Sequence, residues 1–178
     1  MELKKIVLGV ALAMGAATFA QAAEEPVTPT DQGSGTVTFK GSIIDAPCSI
    51  VGNKDQSVEM GQISNSALAN GGTSVPASFK IELANCNLAD KYKTVSVTFT
   101  GAEGKIENSL GMSKATGASI IMQDGASNKI KLGTPTALQT LANGSNTLAF
   151  SAYVQGNPGE TVQLGQFDSI ASFTLAYQ

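Results

Sequence analysis

Residues 167–178 read FDSIASFTLAYQ, and the last six alternate: Phe173, Leu175 and Tyr177 fall on one face, Thr174, Ala176 and Gln178 on the other. Successive side chains of a strand point to opposite faces, so this stretch reads as a strand that buries one face up to its final residue. Gly165 sits thirteen residues before Gln178. A second alternating segment, Val37, Phe39, Gly41 and Ile43, precedes Cys48.

Between these two segments lie further β-type runs at 43–51, 75–85, 94–100, 118–123, 129–132 and 147–155, with the last at 170–177. Turn residues separate them: Gly71-Gly72, Gly101, Asp124-Gly125, Asn143-Gly144 and Asn157-Pro158-Gly159. The longest helical stretch is 64–70. Many short strands with turn signals, and no internal repeat, predict an all-β antiparallel sandwich of immunoglobulin-like type. A closed barrel fits the same spacing.

The chain opens with a secretory pattern: Lys4 and Lys5, an apolar stretch over 6–19, then Ala20-Gln21-Ala22. That apolar stretch is short for a bilayer, which needs roughly 20 residues. Ala23 is the expected mature N-terminus. Removal of residues 1–22 leaves 156 residues, enough for one domain with its own core. The mature chain then carries nine Lys against thirteen acids, a net charge of −4, with no Arg, His or Trp.

This composition excludes several functions. Nine scattered Lys residues without Arg make no phosphate-binding or base-reading surface, so nucleic acid is not an expected partner. Without His, neither a Ser-His nor a Cys-His nucleophile can be assembled, and the dispersed acids single out no glycosidase pair. Gly33-Ser34-Gly35 precedes a strand rather than a helix and reads as linker. Asn143-Gly144-Ser145 matches a glycosylation sequon, but Asn-Gly between two alternating runs reads better as a tight hairpin turn. Catalytic residues, metal and cofactors are therefore not expected.

Cys48 and Cys86 are the only cysteines, and export sends them to an oxidising compartment. A disulfide is the expected state, with two free thiols the alternative. A metal site is disfavoured because two sulfurs alone do not complete a tetrahedral shell.

Residues 23–35 (AEEPVTPTDQGSG) combine Pro, Gly, Thr and acids without apolar periodicity and read as a flexible tail. The alternating residues from Thr36 onward would ordinarily be assigned to the first strand of the sandwich. Gly41 argues otherwise, because a glycine on an apolar strand face leaves nothing to pack and marks close approach of another backbone or a narrow site. That pattern suits a strand made to dock elsewhere.

Residues 35–50 (GTVTFKGSIIDAPCSI), 81–86 (IELANC) and 167–178 (FDSIASFTLAYQ) together resemble the rod subunits of chaperone-usher fimbriae of the P-pilus and mannose-resistant kinds. The resemblance covers nearly all of the mature chain. It implies an incomplete immunoglobulin-like sandwich, a six-stranded core completed by a donor strand from a neighbouring subunit. It divides the chain into a signal peptide (1–22), the tail (23–35), a donor-strand extension (36–45) and a pilin domain (46–178). Val37, Phe39, Gly41 and Ile43 would be the donor residues, while Gly165, Phe173, Leu175 and Tyr177 would line the accepting groove.

The partners implied are neighbouring pilin subunits, a periplasmic chaperone that fills the groove first, and an outer-membrane usher where the exchange occurs. Donor-strand complementation is an established form of β-augmentation. Burying Val37, Phe39 and Ile43 would contribute about 5–9 kcal/mol before ordering costs, at roughly 1.5–3 kcal/mol per side chain. The expected role is thus a structural subunit of a surface pilus that supports adhesion. A minor or adaptor pilin is the nearest alternative, and a secreted monomeric carbohydrate-binding sandwich the more distant one, weakened by the absence of Trp.

Overall fold

The computed structural model describes residues 35–52, 55–88, 91–114 and 117–178. The signal-peptide assignment and nearly all of the tail assignment lie outside these residues. The chain divides into two units, one ending at Ser42 and one running from Ile43 to Gln178. Each is described by itself.

The unit from Ile43 is built of two antiparallel sheets. In chain order its strands are β1 (Ser49–Ile50), β2 (Ala77–Cys86), β3 (Thr94–Gly101), β4 (Ala118–Asp124), β5 (Gln139–Thr140), β6 (Gly144–Gly156) and β7 (Ala171–Tyr177). One sheet has the order β1-β2-β6-β4 and the other β5-β3-β7. A short helix α1 (Asn65–Leu68), continued by a 3-10 turn over Ala69–Gly71, occupies the longest stretch read as helical, 64–70.

Alternation explains which residues meet between the sheets. On β2, Ile81 and Leu83 are buried while Lys80 and Glu82 face outward and pair at 2.6 Å. On β6, Leu148, Phe150, Ala152 and Val154 are buried, and β3 contributes Val95, Val97 and Phe99. Phe79 and Phe150 of one sheet both meet Phe99 of the other edge-to-face, with ring centroids 6.3 and 5.1 Å apart, while Phe79 stacks on Phe150 at 5.5 Å and Phe99 tilts against Phe173 at 6.2 Å within their own sheets. Large rings reaching across the gap add quadrupole contacts to their buried area and fix the spacing of the layers. Close packing also holds α1 on β6: a Cβ on Gly156 would collide with the Leu68 carbonyl.

Three local expectations change. The run 43–51 is strand only at Ser49–Ile50. Pro47 has no N–H for a ladder, and pairing begins just beyond it, where its carbonyl accepts the Asn87 amide at 2.9 Å. The run 129–132 is not a strand either. Lys129 bridges Gln123 and the Ile130 amide reaches the Met122 carbonyl, but the chain then turns at Gly133 (φ 72°), whose amide bonds to Phe99 in the other sheet.

The Asn143-Gly144 turn is not a hairpin, because β5 before it pairs with β3 whereas β6 after it pairs with β2 and β4. It crosses between the sheets. Asn146 closes it with two side-chain bonds to the backbone of Ala142, and the Asn143 carboxamide accepts the Leu88 amide at 3.0 Å. By contrast, Asp124-Gly125 turns the chain back beside β4, and the Asp124 carboxylate accepts the Ala126 and Asn128 amides.

Cys48 and Cys86 are joined in a disulfide, both buried at the end of the core where β1 begins and β2 ends. The loop it closes spans 38 positions, which restricts the unfolded chain by about 4 kcal/mol in the chain-entropy estimate. Replacing both cysteines by Ser is expected to lower the unfolding free energy by about that amount, read by urea denaturation, and to cut the yield of folded protein. Free-thiol titration of the wild-type protein should find none.

Candidate functional site

Among the described residues, strand β7 is an edge strand that pairs with β3 alone. Its register with β3 runs from Gly101 opposite Ala171 to Val95 opposite Tyr177. One step further, Thr94 and Gln178 exchange both backbone bonds, at 2.9 and 3.0 Å. Hydrogen-bonded pairs alternate along an antiparallel ladder, so Ser172, Thr174 and Ala176 also direct their backbone groups to β3. The N–H and C=O groups of Ala171, Phe173, Leu175 and Tyr177 therefore point to the open edge, a template for another strand.

The apolar side chains of those same residues are only half covered. Phe173, Leu175 and Tyr177 pack against the core yet none is buried, whereas Val95, Val97 and Phe99 opposite them on β3 are. What is missing is cover on one side. Burial pushes the Tyr177 phenol pKa above its ordinary value, and its ring meets Tyr92 edge-on at 6.5 Å.

Beside this edge runs a cleft of about 1410 Å³ between the sheets. Phe79, Ile81, Ile120, Met122 and Val154 contribute from one sheet, and Phe99, Ala171 and Phe173 from the other. Two segments without regular secondary structure complete its walls: residues 55–63, with Met60 and Ile63, and residues 162–170, with Val162 and Phe167. A large cleft with apolar residues from both sheets, polar side chains among its irregular walls and unpaired backbone beside it suits an extended peptide better than a compact small molecule. Among the described residues, no group of three or more His, Cys, Asp or Glu side chains could hold a metal ion.

Of the residues expected to form the groove, Gly165 and Phe173 line this cleft. Leu175 and Tyr177 share the face of Phe173 further along β7, beyond the cleft lining. The segment 55–63 and the wall residues Met60, Ile63, Val162 and Phe167 were not expected, since no strand or helix period runs through them.

Of the expected donor residues, Val37, Phe39 and Gly41 belong to the unit that ends at Ser42, and Ile43 opens the other. Residues 35–46 form neither helix nor strand, and Val37, Phe39 and Ile43 are exposed, Phe39 by 91%. A Cβ built on Gly41 meets nothing within 4 Å, and its φ lies outside the left-handed region. Nothing within the described chain requires glycine there.

Comparison with known proteins agrees with this architecture. The family model described as "Fimbrial protein" matches residues 37–178. The chain is 53% identical to the Fimbria A protein of Serratia marcescens over the whole of both chains. It is 50% identical to the major MR/P fimbria protein of Proteus mirabilis, covering 83% of this chain and 86% of that one. Among solved structures, the P pilus rod subunit PapA superposes with a TM-score of 0.68 at 35% identity, covering 75% of this chain and all of PapA.

Proposed function

The chain belongs to the fimbrial protein family, and from that premise we propose that its open cleft receives the N-terminal extension of a second copy. It is a structural rod subunit of a chaperone-usher pilus at the cell surface, not an enzyme, and it polymerises with other pilin subunits. The joint is the proposed part. Residues 36–45 enter the cleft of the neighbour as an added strand along β7, with Val37, Phe39 and Ile43 turned inward and Gly41 at the tightest point.

One observation carries this reading: a strand whose outward backbone groups and half-covered apolar face lie along the same open edge, beside a cleft into which both sheets turn apolar residues. Either exposure alone would be a liability, and one inserted strand relieves both. The same physics requires a temporary occupant before assembly. A periplasmic chaperone strand fills the cleft first, and exchange for the donor strand takes place at an outer-membrane usher.

Material sheared from producing cells tests the reading. Electron microscopy with an antibody to this chain is expected to label rods along their length, and unheated gels to show a ladder of multimers that collapses on heating. Intact mass of the heated subunit should correspond to a chain starting at Ala23. Unlabelled rods, or a chain that migrates only as a monomer, would remove the polymerisation reading.

A further inference from the structure

Residues 163–167 (Gln163, Leu164, Gly165, Gln166, Phe167) run along the cleft wall just before β7 and make no hydrogen bond to other described residues. They hang between two anchors. Before them, buried Asn157 ties the chain back to the start of β4: its amide donates to the Gly117 carbonyl, and the Ser119 hydroxyl donates to its side chain at 2.8 Å.

After them, Asp168 and Ser169 clasp the segment 111–114. The Asp168 carbonyl accepts both the amide and the hydroxyl of Ser113, at 2.8 and 3.1 Å. Its carboxylate pairs with Lys114 at 2.8 Å, and the Ser169 hydroxyl donates to the Gly111 carbonyl at 2.7 Å. Within the strap itself, Gly165 has φ 153° and open space around it, Leu164 is exposed, and Phe167 is half-buried against the core. Segments held by few contacts open at low free energy, and a hinge that absorbs a backbone change commonly falls at such a point.

We infer that residues 163–167 form a strap that swings about Gly165 to admit the donor strand, and that the clasp of Asp168 and Ser169 on residues 111–114 sets how often it opens. This rests on the donor-strand reading above. A strand lying along β7 that continues past Ala171 meets the strap next, where Phe167 occupies the cleft wall. The clasp is polar and exposed at its ion pair, so it holds the strap closed without making it immovable.

The test uses the full-length subunit in complex with its chaperone, challenged with a synthetic peptide of residues 36–45. Insertion is followed by the gel shift of the peptide-filled subunit, and strap opening by hydrogen exchange of amides 163–167. Asp168→Asn is expected to speed both by up to about fivefold, the range of an exposed ion pair. Adding Ser169→Ala, which removes a further hydrogen bond, should bring the acceleration to roughly tenfold. The reversed pair Lys114→Asp with Asp168→Lys should return both rates toward wild type.

Unchanged amide exchange in the variants overturns the clasp. Faster exchange with an unchanged insertion rate overturns the strap as the gate. If the wild-type subunit itself takes up no peptide, the donor-strand reading fails and the proposal with it, an outcome the wild-type control separates from the other two.

Discussion

A chain shortened by Tyr177 and Gln178 is expected to be degraded or to aggregate in the periplasm, even though residues 1–22 and both cysteines are intact. Gln178 closes the β3-β7 ladder: its amide donates to Thr94, and its carbonyl accepts from the amides of Lys93 and Thr94 and from the Thr94 hydroxyl. At a net worth of about 1 kcal/mol each, reduced where water can replace them, these bonds contribute about 2–4 kcal/mol. The half-buried Tyr177 ring adds about 1–2 kcal/mol.

A loss of about 3–6 kcal/mol is a large part of the 5–15 kcal/mol that holds a typical domain together. Here it falls on the edge proposed to pair with an incoming strand. The truncated subunit should therefore fail in stability and in chaperone capture together. Periplasmic yield and pull-down with the chaperone check this; wild-type recovery on both, with normal pili on the cells, contradicts the assignment of β7 as the accepting edge.

The sequence disclosed the strands that obey a simple period and missed the structure that does not. β2, β3, β4, β6 and β7 coincide closely with runs of alternating or continuous apolar residues. β5 is two residues long and carries no pattern of its own; it exists because Gln139 and Thr140 fall opposite Val95 and Thr94. The run 129–132 failed for the opposite reason: Ile130 and Leu132 have the right period, but Gly133 takes the chain across to the other sheet.

The site divides along the same line. Phe173, Leu175 and Tyr177 were legible because they alternate at the end of the chain, yet alternation does not distinguish a face that is covered from one that is half open. That difference lies in β7 having, among the described residues, a strand on one side alone, a property of topology rather than of any residue. The walls at 55–63 and 162–170 stayed hidden because irregular segments carry no period. Gly41 stands out in the sequence through a broken pattern, one position on an apolar face without a side chain, and within its own unit the structure gives that position no neighbour.

Gly41→Asn should leave the subunit folded and abundant in the periplasm but strip it of the capacity to build rods. Within the described chain this glycine has neither of the usual justifications, since its backbone is not left-handed and an added Cβ would meet nothing within 4 Å. No described residue of its own unit supplies a cost, and the proposed donor role places it in a partner. If Gly41 lies where the donor strand passes the narrowest part of the neighbour's cleft, an amide side chain there must either overpack the wall or hold the strand away from β7. Overpacking costs about 1–3 kcal/mol, which weakens each joint by roughly 5- to 150-fold.

A rod repeats that joint at every subunit, so a moderate local penalty becomes a near-complete loss of polymer. Cells making only the variant should carry few or no pili by electron microscopy while their periplasmic subunit remains at wild-type level. The cleft of the variant is untouched, so it should still take up a synthetic peptide of residues 36–45 as the wild type does. Loss of peptide uptake would mean that the substitution damaged the acceptor, and polymerisation at the normal rate without wild-type subunits would show that residues 36–45 are not the donor strand.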